Sequence, residues 1–243
     1  MAKPTVDAHV HFWDLEKFQY VWPRGGQEAA LFDNFYPCGY EKALVESGCP
    51  VKNGIFVQVV NNTVAETDWV LDMATRHKCI VGVVGWIDMC GSDDEVDEEL
   101  QRLSKNPLFL GLRHILDLEE PGWIVKKEVK RTLGRLEKLN LTYDILLRPH
   151  SLHYAADVAQ EFPDLRLIID HLAKPKIKEG EFDEWAKEMS RAASFQNVYV
   201  KLSTSSNFQQ QQQPFFISPP GLYGLKCEGE LSFRVFRVYG IFS

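Results

Sequence analysis

Short runs of Val, Ile and Leu alternate along the first 203 residues with longer stretches whose apolar positions recur at helical spacing. Strands that are buried on both faces have this composition, because neither face meets water. The pattern predicts seven strands, at residues 5–12, 54–60, 80–87, 108–115, 142–147, 165–170 and 198–202.

Amphipathic stretches between these runs predict helices at residues 65–76, 95–104, 126–139, 151–162 and 182–193. An acidic cluster at 93–97 suits a helix N-terminus, where the helix dipole favours negative charge. Strands joined by helical crossovers pair in parallel, so the chain is predicted to be an α/β protein. Periodicity by itself leaves open whether the sheet closes into a TIM (β/α)8-type barrel or stays a doubly wound sheet.

The composition narrows the classes of partner. A net charge of −7 argues against a nucleic-acid or anionic-membrane binder. The N-terminal segment lacks the apolar core of a signal peptide, and no run is long enough to span a membrane. Five cysteines without a CxxC pair indicate reduced thiols. We therefore expect a cytoplasmic protein acting on a small molecule, with the oligomeric state open.

Candidate chemistry begins in the first predicted strand, where Asp7, His9 and His11 occupy alternate positions and so point to one face. Two imidazoles about 6–7 Å apart along a strand can both reach one metal ion. Such a pair also arises by chance, and a strand-end histidine with a structural role is the competing interpretation. His171 follows another buried apolar run and weakens that alternative, because two strand ends then present histidine.

Other polar residues at predicted strand ends are candidates for contact with a substrate. Arg113 and His114 can bind a carboxylate or hydroxyls, although a structural ion pair is an equal expectation for the arginine. Lys174 follows His171, and Gln58 ends the second strand. The remaining histidines in helix or loop contexts are expected at the surface: His77, His150 and His153.

The segment VDAHVHFWD (residues 6–14) resembles the opening strand of the amidohydrolase-related (type 2) family of TIM-barrel metal-dependent hydrolases. Later segments follow in the order of its sugar-lactonase-like branch, namely GIFVQVVNNTVAETDWVL, VVGWIDM, FLGLRHIL with a following EEPGW, YDIL, IIDHLAKP and VYVKLS. The resemblance implies a (β/α)8 barrel and hydrolysis of a cyclic ester such as a sugar-acid lactone. It also implies that His9, His11 and His171 hold a divalent metal, with zinc expected, or bind the carbonyl directly as in metal-free relatives.

Residues 204–243 differ sharply from residues 1–203, the amidohydrolase-like barrel domain. They contain five glutamines in a row and only five charged residues, none of them Asp. The family's eighth strand ends in an Asp that acts as metal ligand and general base, so the barrel is expected to be incomplete, with seven recognisable strands. We predict a disordered or non-native low-complexity tail, arising from an alternative transcript or a gene-model error. Only residues 231–242 look strand-like, as a filler for a sheet edge.

Two further interpretations of function stay open at this point. Decarboxylases of the same family share the first two histidines and the later one, so a decarboxylase is an alternative within the enzyme class. A catalytically inactive truncated isoform is the alternative outside that class, because the general base is missing. A binuclear hydrolase is disfavoured, since the fourth strand ends in Arg113-His114 without a lysine.

Overall fold

The computed structural model describes residues 6–21, 31–176 and 179–202, and the main chain of 226–227, 229–230 and 234–237. The chain falls into two compact units. The first contains residues 1–113 with 239–243, and the second contains residues 114–238. Helices in the described residues lack the combination of length and apolarity needed to cross a membrane.

The first unit alternates strands with helices, and its neighbouring strands are parallel in the order β1-β2-β3-β4. The last two residues of β4 belong to the second unit. In chain order its elements are β1 (Val6–Val10), α1 (Pro37–Glu46), β2 (Asn53–Val57), α2 (Val64–Arg76), β3 (Ile80–Gly85), α3 (Asp93–Leu103) and β4 (Phe109–Ile115).

Local side chains fix where α2 and α3 begin. Thr63 caps α2, and Ser92 forms a reciprocal capping box with Glu95 at the start of α3. Gly85 lets α2 approach β3 closely, because a Cβ there would lie 2.5 Å from the Thr67 side chain. These contacts determine the path of the loops at the carboxyl ends of β2 and β3.

The second unit continues the alternation of helices and parallel strands. Strands β5, β6 and β7 pair in that order, and the short strand β10 pairs in parallel with β7. Its elements are α4 (Lys127–Lys138), β5 (Thr142–Leu146), α5 (His153–Glu161), β6 (Arg166–Ile169), α6 (Asp183–Ala193), β7 (Val198–Leu202), the antiparallel pair β8 (Lys226–Cys227) and β9 (Gly229–Glu230), and β10 (Arg234–Arg237).

The seven predicted strands and five predicted helices are all present, with ends that differ by a few residues. Helix α1 was not predicted, because it buries only Pro37 and Leu44 and so lacks a continuous apolar face. Strand β10 lies within the one tail segment whose pattern looked strand-like. Most of the tail lies outside the described residues, so its predicted disorder stays a prediction.

Candidate functional site

Two imidazoles meet at the carboxyl end of β1. His9 lies on the strand and His11 directly follows it, and their Nε2 atoms are 3.1 Å apart with the rings nearly perpendicular. Both side chains are half-buried. The predicted alternation therefore brings the two side chains together on one face, as strand geometry requires. Asp7, on the same face, accepts a hydrogen bond from the main-chain N–H of His9 at 3.0 Å.

The tautomer of His11 follows from its second contact. Its Nδ1 lies 2.7 Å from the carbonyl oxygen of Val57, at the end of β2. A carbonyl oxygen can only accept, so Nδ1 carries the proton and the Nε2 of a neutral ring presents a lone pair toward His9. Two nitrogens that bind one zinc ion at about 2.0–2.1 Å with tetrahedral angles lie about 3.3 Å apart. The 3.1 Å separation fits this donor arrangement.

Gln58 and Arg113 lie together in the interior of the first unit, 0% and 2% exposed. The Gln58 amide donates to the Arg113 carbonyl at 3.3 Å, and the Arg113 guanidinium donates to the Gln58 carbonyl. Both side chains thus bind main chain at the end of β2 and within β4. Their predicted contact with substrate stays a prediction.

Glu66 is a buried acid beside this pair that the sequence did not single out. Its carboxylate accepts from the main-chain N–H of Val59 at 3.1 Å, in the loop that follows β2. Burial raises its pKa to about 8, while the Val59 hydrogen bond, the Tyr20 hydroxyl and the Arg113 charge act in the opposite direction. Glu66 is therefore protonated in a large fraction of molecules at neutral pH.

A buried ion network precedes His171 in the second unit. The Lys201 ammonium lies 3.0 Å from Asp170 and pairs closely with Asp144, and all three residues are at most 3% exposed. Burial alone would lower the pKa of Lys201, but the two carboxylates outweigh it and hold the pKa above its usual value. The sequence pattern did not single out Lys201 as a partner of these carboxylates.

His171 begins a turn with an unusual main chain. His171, Leu172, Ala173 and Lys174 all have φ between 48° and 55°, the left-handed region that residues other than glycine rarely adopt. The Trp185 indole N–H donates to the Leu172 carbonyl at 2.7 Å, and the Lys174 N–H donates to the His171 carbonyl at 2.9 Å. Strain of this kind persists where the surroundings over-determine it, as at many functional sites.

The other two predicted substrate contacts, His114 and Lys174, each lie beside a carboxylate of the second unit. His114 stacks on Trp123 with ring centroids 3.9 Å apart, and its Nε2 lies 2.8 Å from Glu119. Lys174 lies 3.4 Å from Asp117, which also pairs with Arg148 at 2.9 Å. Asp117 thereby connects the turn of His171 to the loop that follows β5.

Comparison with known proteins identifies the family. Residues 6–222 match the family described as Amidohydrolase. The chain belongs to the amidohydrolase family. An L-fucono-1,5-lactonase of Burkholderia ambifaria is 34% identical over 199 residues, which cover 82% of this chain and 67% of the relative. An L-fucono-1,5-lactonase of Burkholderia multivorans is 25% identical over 216 residues, covering 84% and 69%.

The amidohydrolase assignment agrees with the fold. A crystal structure of an amidohydrolase from Burkholderia multivorans with bound zinc matches with a TM-score of 0.74 and 22% identity, covering 83% of this chain and 70% of that one. This likeness and the parallel strands β1 to β7, which the described residues extend only by the short β10 beside β7, confirm the expected TIM-type barrel with seven recognisable full strands. The chain is therefore an amidohydrolase-family hydrolase.

Three residues of this amidohydrolase that sequence reasoning missed are Glu66, Asp117 and Lys201. Each lies in a helix, turn or strand where a single charged residue usually faces solvent. For Lys201 the sequence did hold a signal, because a lysine within the apolar run VYVKL is expected to be buried. A buried ammonium requires an oppositely charged partner.

Proposed function

We propose that this amidohydrolase hydrolyses the cyclic ester of a sugar acid, a lactone of the L-fucono-1,5-lactone class. The observation that carries the proposal is the His9–His11 pair, with Nε2 atoms 3.1 Å apart and the His11 tautomer set by Val57. Support for the substrate class comes from the L-fucono-1,5-lactonase relative at 34% identity. We also propose a cytoplasmic location with a small-molecule substrate, as the composition suggested.

His9, His11 and His171 would hold a divalent ion, with zinc proposed because a structurally similar amidohydrolase binds it. When bound, such an ion polarises the ester carbonyl and stabilises the negative charge that forms on its oxygen. The chain's own part is to present neutral imidazoles. His11 does so by donating its Nδ1 proton to Val57, and the strained turn fixes the backbone of His171.

The imidazoles also have a role if the ion is dispensable. A protonated Nε2 on His9 can donate a hydrogen bond to the carbonyl oxygen as negative charge builds on it. Lys174 and His114 are proposed to contact the substrate, each already oriented by a carboxylate, Asp117 and Glu119 respectively. Arg113 and Gln58 complete the proposed substrate-binding set from the first unit.

The test is lactone hydrolysis by the purified 243-residue chain, with His11→Ala and His9→Ala as variants and His77→Ala as the matched control. His77 lies at the end of α2, 31% exposed and 3.9 Å from Glu41. We expect turnover of L-fucono-1,5-lactone to fall at least about 100-fold in the two site variants and to stay unchanged in the control. Bound zinc, measured by elemental analysis, should fall in parallel if the ion is resident.

The same preparation separates the alternatives. Release of CO2 from a hydroxybenzoate without lactone turnover would favour a decarboxylase. A well-folded chain without either activity would favour an inactive isoform and overturn the proposal.

A further inference from the structure

A small pocket lies between two loops of the second unit. One wall is formed by residues 116–124, which follow β4, and the other by residues 148–154, which follow β5. The ends of parallel strands are where amidohydrolase-type barrels place their substrates. His150, expected only as a surface residue, lies in this lining.

The charged groups of the pocket are arranged as pairs. Asp117 pairs with Arg148 at 2.9 Å, Glu119 lies 2.8 Å from His114, and Glu120 pairs with Lys126 at 2.6 Å. Each carboxylate therefore has a nitrogen partner within hydrogen-bond distance, and the lining offers neighbouring acceptors and donors.

A hydroxyl group both donates and accepts, so two adjacent hydroxyls suit a carboxylate and a guanidinium that lie side by side. Asp117 and Arg148 form such a pair. Tyr154 supplies a further hydroxyl, and Gly122 lies next to it, since a Cβ on that residue would be in ordinary contact with the Tyr154 oxygen at 3.6 Å. The buried ring of Trp123 completes an aromatic surface next to these polar groups.

The pocket is also joined to the turn that carries His171. Asp117, in its wall, lies 3.4 Å from the ammonium of Lys174, three residues after His171. A ligand that binds Asp117 and Arg148 therefore lies beside a residue already proposed to contact the substrate.

We propose that this pocket binds the hydroxyl-bearing carbons of an aldonic acid or its lactone, and so selects polyhydroxylated esters over plain cyclic esters. The inference rests on the proposed lactone hydrolysis and assigns the enzyme's specificity for hydroxylated substrates to this pocket. Arg148 and Tyr154 act as donors to the substrate hydroxyls, and Asp117 acts as the acceptor.

Direct binding tests the pocket without requiring turnover. Saturation-transfer NMR and calorimetry on the full chain use L-fuconate as the probe and hexanoate as the probe without hydroxyls. We expect L-fuconate to bind at least about 10-fold more tightly than hexanoate, and Arg148→Met to raise the Kd for L-fuconate about 10-fold. Tyr154→Phe should raise it about 3-fold, and gives a second result if the first variant folds poorly.

Arg102→Met is the matched control. Arg102 lies on helix α3 and, like Arg148, pairs with an aspartate. The two arginine side chains are similarly exposed, 45% for Arg102 and 52% for Arg148. Equal Kd values for L-fuconate in Arg148→Met and Arg102→Met would overturn the inference, and so would equal binding of hexanoate and L-fuconate by the unchanged chain.

Kinetics distinguish failure of this inference from failure of the proposed function. The ratio of kcat/KM for L-fucono-1,5-lactone to that for δ-valerolactone should fall about 10-fold in Arg148→Met. An unchanged ratio with active enzyme overturns the pocket and leaves lactone hydrolysis intact. Selective L-fuconate binding without turnover of either lactone supports the pocket and overturns the proposed reaction.

Discussion

Gln58 and Arg113 each donate a side-chain hydrogen bond to the main-chain carbonyl of the other, across 55 positions of sequence. Gln58 directly follows β2 and Arg113 lies in β4, so the exchange ties together two strands that are not adjacent in the sheet order. Both side chains are almost fully buried. If either carbonyl lost its side-chain donor, water could not easily reach it and supply a replacement hydrogen bond.

Gln58→Leu should therefore lower the free energy of unfolding by about 1–3 kcal/mol, the usual effect of leaving a buried carbonyl without its donor. Urea denaturation followed by circular dichroism measures the change. Gln101→Leu, at an exposed position of α3, is the control and should stay within about 0.5 kcal/mol of the unchanged chain. A Gln58→Leu variant as stable as that control would show that the exchange adds nothing.

Glu66 should make stability depend on pH. Its pKa of about 8 in the folded chain lies above the ordinary value of 4.5, so the folded state retains a proton that the unfolded state releases. This contribution is complete below about pH 4.5 and is lost as the pH rises through 8.

The glutamine in Glu66→Gln does not titrate, so the unfolding free energy of this variant minus that of the unchanged chain should rise with pH. We expect this difference to increase by on the order of 4 kcal/mol between pH 5 and 8 and to stay constant at higher pH. Urea denaturation at four pH values gives the difference. The exposed Glu184→Gln is the control. A difference that is flat across this range would contradict the raised pKa.

Lys201 should be more important for stability than any exposed lysine. Removing its ammonium leaves Asp144 and Asp170 buried without their shared cation, so Lys201→Met should cost about 3–5 kcal/mol of unfolding free energy. Asp144→Asn retains the Asp170 contact and should cost less. Urea denaturation measures both changes, with Lys187→Met as the control because the Lys187 side chain is 70% exposed. Equal unfolding free energies of Lys201→Met and Lys187→Met would refute the prediction.

Trp185 should hold the left-handed turn of residues 171–174 in place. Trp185→Phe keeps an aromatic ring but removes the donor to the Leu172 carbonyl, so amide hydrogen exchange in the turn should accelerate about 10-fold. Exchange in β5, which is distant in sequence, serves as the internal reference. Trp69→Phe, a change at a half-buried tryptophan of α2, should leave exchange in the turn unchanged, and the idea fails if both variants behave alike.

Much of the fold could be predicted because burial on both faces of a strand demands an uninterrupted apolar run. Strand β3 (IVGVVG) carries such a run in full, and the other strands keep apolar residues around one or two polar positions, as in VDAHV of β1. The alternation of His9 and His11 follows from strand geometry alone. Helix α1 escaped prediction because its apolar positions are sparse. Glu66 and Asp117 escaped for a different reason, since a single acidic residue outside an apolar run carries no sign of whether a partner will meet it.

The order of strands and helices, the two strand ends that carry His11 and His171, and the family resemblance all follow from the amino-acid sequence. The partners of the buried polar groups follow only from the folded chain. Gln58 and Arg113 are 55 positions apart in the sequence. Lys201 is 57 positions from Asp144 and 31 positions from Asp170, yet it contacts both. The left-handed turn at 171–174 contains no glycine, so its conformation comes from contacts such as that of Trp185 and not from local preference.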